Sequence, residues 1–265
     1  MQKNQISQSN FKNKIKHIDK KIFFSFFLKF YNFCRKFNKR KFNIKPVSSN
    51  YGFYINDYLK KVNLLTQLCE KYNSDKGGNN NPFYDAGNNY SDYYFKIFND
   101  KRFNYRKIFE CGIGSNNPFL ESNMTVNGKP GASLRVWKDF FPNAKVYGAD
   151  VDHDTLFVED RISTYYVDQF DKLSIEEMWI KINENNFDLI IDDGVHNFDA
   201  NINFYENSFD KLRKGGFYII EDIRLSEIKK FYNYFEVTKN NVEFISMNSN
   251  SSDGSSNLIV INKTY

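Results

Sequence analysis

Cysteine is scarce in this 265-residue chain, and the three present, Cys34, Cys69 and Cys111, are odd in number and far apart. That spacing excludes a disulfide framework, and no CxxC or Cys/His pair offers a zinc site. Such usage suits a reducing, cytoplasmic compartment. Long apolar runs are missing too. The candidate, IFFSFFLKFYNF at residues 22–33, is interrupted by Lys29. It falls short of the ~18 residues that span a bilayer. No small-residue cleavage site follows it, so no secretory signal is expected. Acid is nearly absent from one region. Residues 1–45 hold thirteen Lys and Arg against a single acid, Asp19, whereas the rest carries 24 bases and 31 acids. The net charge of +5 therefore belongs to an N-terminal arm. The overall basicity therefore says nothing about nucleic-acid binding by the body.

The arm is basic and aromatic. Phe23, Phe27 and Phe30 can share a helical face, with Lys20, Lys21 and Arg35 nearby. One reading is an amphipathic helix on an anionic membrane surface; the other is a partner-docking helix without membrane contact. Pro46 and the SSN after it mark a boundary. Residues 1–50 are read as the arm, 51–104 as a helical preface and cofactor lid, and 105–265 as the core. In the preface, Tyr58, Leu59, Val62, Leu65 and Leu68 repeat at helical spacing over residues 56–72. A polar loop follows, then a second helix around residues 90–98.

From Tyr105 strands and helices alternate. KIFECGIG, KVYGADVD, STYYVDQF, FDLIIDDG and GGFYIIEDI read as strands; SLRVWKDFF, IEEMWIKI and residues 198–212 read as helices. VEFISMN and NLIVINK, separated by a Ser/Asn/Gly loop, predict a terminal antiparallel hairpin. The expectation is an α/β fold: an open, seven-stranded, mostly parallel Rossmann-like sheet, with that hairpin at the C-terminus and a helical extension at the N-terminus.

In such sheets ligands sit outside the carboxyl ends of the strands. In FECGIGS, Gly112 and Gly114 allow close backbone approach, and Glu110 precedes the turn. No third glycine leads directly into a helix, which counts against a pyrophosphate cradle and for a smaller contact. Asp150, ending GADVD, is placed to accept ribose hydroxyls. Asp168 in YYVDQF can meet an adenine amino group. Asp192 and Asp193 end one strand in IIDDGVH, and Glu221 and Asp222 end another in YIIEDI. Four carboxylates at one rim repel unless a cation joins them. A hard divalent ion such as Mg2+ suits oxygen ligands. His196, one of three histidines, has an ordinary pKa near ~6.5 and is a candidate general base.

Together these residues resemble the class I S-adenosylmethionine-dependent methyltransferases, and more narrowly the metal-dependent sugar O-methyltransferases of the macrocin and mycinamicin type. The resemblance runs over residues 72–223 through NSDKG, FECGIG, PGASLRVWKDFFPNAKVYGADVD, IIDDGVH and KGGFYIIEDI. It implies that Glu110, Gly112 and Gly114 contact the methionine part of S-adenosylmethionine, that Asp150 holds the ribose, and that Asp168 lies near the adenine. It implies Asp193, Glu221 and Asp222 as Mg2+ ligands, with another oxygen-preferring metal equally allowed, and His196 as the base. Asp192 is implied to support the cofactor. Ser74, Asp75 and Lys76 are implied to form a loop closing over it.

The sequence departs from that pattern in three places. Asn116 stands where a third glycine is usual, residues 117–129 form an insert, and Val195 replaces the usual serine of DDGSH. The implied acceptor is a sugar or a glycan precursor, such as a bacterial surface glycan or glycolipid. A non-sugar O-methyltransferase and a non-catalytic protein that retains the nucleotide-binding fold are the alternatives. A base-modifying nucleic-acid methyltransferase is disfavoured because IDDGVH replaces an NPPY-type strand end. An NAD dehydrogenase leaves the acidic rim unexplained. Homo-oligomerisation and arm-mediated contact with the inner membrane surface are both compatible with the chain.

Overall fold

The computed structural model describes residues 51–56, 62–77, 90–124, 128–224, 226–247 and 257–264, with backbone only at 51–56 and 246–247. The chain divides into two units, Met1–Lys45 and Pro46–Tyr265. The first, with the amphipathic face around Phe23, Phe27 and Phe30, lies outside the described residues, as does the loop at 248–256.

The described residues of the second unit form one nine-stranded sheet flanked by six α-helices. The strands are β1 (Tyr51–Asn56), β2 (Lys107–Cys111), β3 (Lys145–Asp150), β4 (Val158–Glu159), β5 (Ile162–Tyr166), β6 (Phe187–Asp192), β7 (Leu212–Ile220), β8 (Asn241–Met247) and β9 (Asn257–Asn262). The helices are α1 (Leu64–Tyr72), α2 (Tyr90–Phe98), α3 (Ala132–Phe140), α4 (Lys172–Ile182), α5 (Phe198–Ser208) and α6 (Ile228–Phe235). Hydrogen-bonded neighbours run β1-β8-β9-β7-β6-β2-β3-β5-β4. Strands β5, β3, β2, β6 and β7 are parallel; β9 inserts antiparallel between β7 and β8.

All seven expected strands are present. The two additional ones lie at the edges: β1, parallel to β8, and the two-residue β4, antiparallel to β5. The stretch YGFYIN is rich in aromatic and branched residues that favour strands, so the preface is not purely helical. Its first helix is also shorter than expected. It starts at Leu64, because Asn63 is extended and its side chain accepts the Thr66 N–H at 2.9 Å. Val62, counted on the apolar face, is 77% exposed. Tyr58 and Leu59 lie outside the described residues. The helix expected over 198–212 ends at Ser208; a 3-10 turn follows and Leu212 opens β7.

Two aromatic-rich cores sandwich the sheet. Leu65, Tyr94, Phe98, Trp137 and Phe140, from α1, α2 and α3, pack on Ile108, Leu189, Ile191 and Ile219. Met178, Trp179, Phe204, Phe231 and Phe235, from α4, α5 and α6, pack on Phe109, Ile190, Tyr218 and Ile220. Side chains alternate across a strand. Glu110, two residues beyond Ile108, therefore points toward the α1–α3 layer, as does Glu221, two beyond Ile219. Asp192, two beyond Ile190, points toward the α4–α6 layer. The order reverses between β2 and β6, where Cys111 is level with Asp192, and Asp192 is level with Ile220. A crevice opens at this switch point.

Candidate active site

A cavity of about 490 Å³ lies outside the ends of β2, β3 and β6. Its volume falls in the range of small-molecule sites. Ser74, Asp75, Lys76, Gly112, Gly114, Asp150, Asp168, Asp193, His196 and Asp222 all line it. Residues separated by well over a hundred positions thus meet at one wall, as strand-end placement predicts.

The glycine turn after β2 has φ 82° at Gly112 and 89° at Gly114, a region that side-chain-bearing residues rarely adopt. A Cβ at Gly112 would also collide with the backbone of Asp193 and Gly194. The turn is tied to β3 by Asp150, whose Oδ2 accepts the Ile113 N–H at 3.0 Å and whose Oδ1 accepts the Asp152 N–H at 3.0 Å. Burial pushes the Asp150 carboxyl upward, against these backbone donors. Asp168 is half-buried after β5 and caps its own turn through the Phe170 N–H. Exposed Val151 and Phe170 supply apolar lining on either side of these acids.

Three expected site residues stand behind the cavity wall rather than on it. Glu110 is fully buried; its Oε2 accepts the Trp137 indole N–H at 2.7 Å and its Oε1 lies 3.2 Å from Lys76 Nζ. Strand alternation turns it toward Trp137 and Lys76, so it stands behind the cavity lining rather than on it. Asp192 is fully buried on the opposite layer, where it accepts from Gln169 Nε2 at 2.6 Å and Asn201 Nδ2 at 2.9 Å. Its burial pushes the carboxyl up to about 6. It supports the site through Gln169, whose Oε1 accepts the Val195 N–H at 2.9 Å. Glu221, expected as a metal ligand, is also fully buried; it accepts from Tyr94 at 2.5 Å and from Lys76 at 2.6 Å.

The rim facing the cavity is Asp193, His196 and Asp222, whose candidate ligand atoms all lie within 4.8 Å of one another. The two carboxylates suit a hard divalent cation, with the imidazole beside them. Burial opposes ionisation of Asp193, but Lys76 and His196 outweigh it and hold its carboxyl below the usual range. Burial would lower His196, yet its hydrogen bond to Asp193 and the charge of Asp222 push it up to about 9. Burial would discharge Lys76, but Asp193, Glu221 and Glu110 hold it well above its ordinary value. His196 and Asp222 both have φ of 54°. Asn197, directly after His196, starts α5 by accepting the Asp199 N–H at 2.9 Å. The loop is thus fixed on both sides of the imidazole.

Sequence reasoning missed Tyr90, Tyr94, Gln169 and Asn201. Tyr90 and Tyr94 sit four apart on α2, and their hydroxyls donate to Asp222 Oδ1 at 2.6 Å and to Glu221. Their i, i+4 spacing puts both on one helix face, but only their burial, known from the structure, requires acceptors for the two hydroxyls. The insert after the glycine turn folds back on it: Met124 N–H donates to Ser115 O at 2.9 Å, and Phe119 and Leu120 line the cavity.

No family model matches the chain. It is 30% identical over 159 residues to the demethylmacrocin O-methyltransferase of Streptomyces fradiae, covering 60% of this chain and 36% of that one. It is 31% identical over 160 residues to the mycinamicin VI 2''-O-methyltransferase of Micromonospora griseorubida, again 60% of this chain and 36% of the relative. A tetracenomycin-C rhamnosyl 2'-O-methyltransferase of Streptomyces olivaceus is 33% identical over 116 residues, 43% of this chain and 30% of the relative. The chain therefore spans about a third of the length of the curated relatives it matches. Among solved structures, the MycE methyltransferase of the mycinamycin pathway, in complex with Mg, SAH and mycinamycin VI, superposes with a TM-score of 0.56. It is 23% identical and the match covers 77% of this chain and 56% of that one. The sheet is a methyltransferase fold, and the sequence around its strand ends resembles the macrocin- and mycinamicin-type sugar O-methyltransferases.

Proposed function

We propose that this chain is an S-adenosylmethionine-dependent O-methyltransferase that methylates a hydroxyl of a sugar or glycan precursor, using a divalent metal and His196 as general base. The observation that carries the reading is convergence on one cavity. A glycine turn tied down by Asp150 and an Asp193–His196–Asp222 rim share its wall. The similarity to sugar O-methyltransferases supports the acceptor class.

The absent groups would supply an electrophilic sulfonium methyl and, at the rim, a Lewis acid that makes a hydroxyl easier to deprotonate. The chain's own residues do the rest. Gly112 and Gly114 let the backbone approach the cofactor closely. Asp150 and Asp168 bind the ribose and the adenine amino group, between Val151 and Phe170. Asp193 and Asp222 are the metal ligands that face the cavity, with Glu221, the third implied ligand, directly behind them on Lys76 and Tyr94, and Mg2+ or another oxygen-preferring ion as occupant. His196 Nε2, 3.3 Å from Asp193 Oδ1, is held to take the acceptor's proton. Apolar residues of the insert exclude water and align the acceptor with the methyl group.

Among the described residues no helix is long and apolar enough to cross a membrane. The reading places the enzyme in the cytoplasm, in polysaccharide or glycolipid biosynthesis, with residues 1–45 drawing it to an anionic inner surface. Vesicle flotation of the full chain against a variant lacking 1–45 tests that placement; both remaining in solution would end it.

The decisive test is calorimetric titration of the full chain and Asp193→Ala with S-adenosylhomocysteine and then Mg2+. Cofactor binding by both, with metal binding lost in the variant, is expected. A sugar-acceptor screen by mass should then find a methylated product. A folded protein that binds no cofactor would move the weight to a non-catalytic nucleotide-binding protein.

A further inference from the structure

Asn116 stands where a third glycine is usual, and the insert follows directly after it. The structure joins these two departures. Asn116 Nδ2 donates to Gly128 O at 3.0 Å, across twelve residues. Beside it, Ser115 O accepts the Met124 N–H at 2.9 Å, and Ser115 Oγ accepts the Asn117 N–H at 2.9 Å. The described part of the insert is thus drawn back onto the glycine turn.

Met124 fills a space that the turn leaves for it. A Cβ on Gly114 would collide with Met124 Sδ, and one on Gly128 would collide with Met124 Cγ. Gly112 differs, since a Cβ there meets the backbone of Asp193 and Gly194. One glycine of the turn therefore makes room for the loop after β6, and the other makes room for the insert. Met124 is half-buried and lines the cavity together with Gly114.

Ser115 carries this arrangement across to β3. It is only 2% exposed, and its hydroxyl donates to Asp152 Oδ2. The Asp152 N–H in turn donates to Asp150 Oδ1, while Asp150 Oδ2 holds the Ile113 N–H. The ends of β2 and β3 and the described part of the insert form one hydrogen-bonded unit. An unfastened segment would have to be ordered each time a ligand entered, and that ordering weakens binding.

We infer that Asn116 is a positioning residue: it clasps the insert onto the glycine turn so that Met124 closes the cofactor's side of the cavity over Gly114. The inference rests on the methyltransferase reading above and deepens its cofactor site. The root of the insert, at Met124, retains the cofactor. Its tip, at Phe119, is left exposed for the acceptor.

The test compares full-length wild type, Asn116→Ala, Met124→Ala and Met124→Leu. Amide exchange in the ligand-free proteins reads the clasp itself. The Met124 amide should exchange about three- to tenfold faster in Asn116→Ala, with the core amide of Leu189 unchanged. Stopped-flow kinetics with S-adenosylhomocysteine reads the consequence. Asn116→Ala and Met124→Ala should release it about three- to tenfold faster, with entry rates within about twofold of wild type. Met124→Leu, which conserves volume, should stay within about twofold in both directions. Unfolding temperatures should stay within about 2 °C of wild type. Wild-type exchange at Met124, or wild-type release, in Asn116→Ala overturns the inference. Faster release with a large fall in unfolding temperature also overturns it, because the residue is then only structural. If Asn116→Ala does not fold, equal release by Met124→Ala and Met124→Leu overturns it, and faster release by Met124→Ala alone supports it. Wild type that binds no S-adenosylhomocysteine ends the methyltransferase reading and this role with it. Normal binding by wild type beside an unchanged Asn116→Ala ends the clasp alone.

Discussion

His196 Nε2 faces Asp222 Oδ2 at 3.6 Å, and the two residues share a left-handed backbone, each at φ 54°. One follows β6 and the other follows β7, so two parallel strand ends turn inward to oppose an imidazole and a carboxylate. Non-glycine residues in this region carry strain of order 1 kcal/mol, and such strain gathers at functional sites. Asparagine tolerates the conformation well. His196→Asn should therefore keep the fold and S-adenosylhomocysteine affinity while lowering the methyl-transfer rate by about 10²–10⁴. Single-turnover kinetics with the acceptor, beside calorimetry, checks both halves; an unchanged rate would remove His196 from the chemistry.

The same imidazole should give the metal-free protein a pH signature. Its pKa is pushed up to about 9 against the opposing effect of burial, by Asp193 and Asp222. A raised folded pKa means the protonated form favours the folded state. The contribution is complete below the unfolded value near ~6.5 and is lost as pH rises through 9. Its size is up to about 3 kcal/mol. Urea unfolding at pH 6 and pH 10 should show wild type losing that much more stability than His196→Asn. NMR titration of the imidazole should place its midpoint near 9 without metal and lower once a dication offsets the two acids. A midpoint near the ordinary value in the metal-free protein would contradict the geometry.

Gln169 makes a positioning prediction. It bridges the buried Asp192 and the Val195 N–H, with contacts of 2.6 Å and 2.9 Å. Gln169→Ala leaves Asp192 with Asn201 as its remaining side-chain donor and strips the Val195 amide of its acceptor. Leaving buried polar groups unpaired costs about 1–3 kcal/mol. Denaturant unfolding should register that loss, and amide exchange at Val195 should quicken. The rate should fall while cofactor affinity holds, because Gln169 steadies the loop that bears His196.

How legible this was depends on distance along the chain. The strands from Lys107 to Ile220 could be read from their apolar runs, and strand-end placement brought Asp150, Asp193 and Asp222 to one cavity as expected. The acid pair IDDG read as a unit, yet period-two alternation sends Asp192 and Asp193 to opposite layers. That consequence was available in the sequence. The partners of Glu221 were not. Lys76 lies 145 residues away and Tyr94 lies 127 residues away. Only the packing of α1 and α2 on the sheet brings them in. The strand at Tyr51–Asn56 escaped for a similar reason, since an edge strand's partner, β8, is almost two hundred residues on.

The insert supplies the last prediction. Phe119 is 94% exposed yet lines the cavity, beside Leu120 and Met124. The insert's described part is tied back to the glycine turn by the Met124 N–H bond to Ser115 O, and just beyond it Gly131 N–H bonds Ile113 O at 2.7 Å. An exposed aromatic ring on an anchored segment is a surface for the apolar face of an acceptor. Stacking of this kind contributes about 0.5–1.5 kcal/mol. Phe119→Ala should therefore raise the acceptor KM roughly three- to tenfold. Cofactor affinity and stability should stay close to wild type, because the ring buries little against the protein itself. Steady-state kinetics with a methylated sugar product, paired with S-adenosylhomocysteine calorimetry, separates the two effects. A loss of cofactor binding instead would make the insert a cofactor lid, with the acceptor entering from the His196 side.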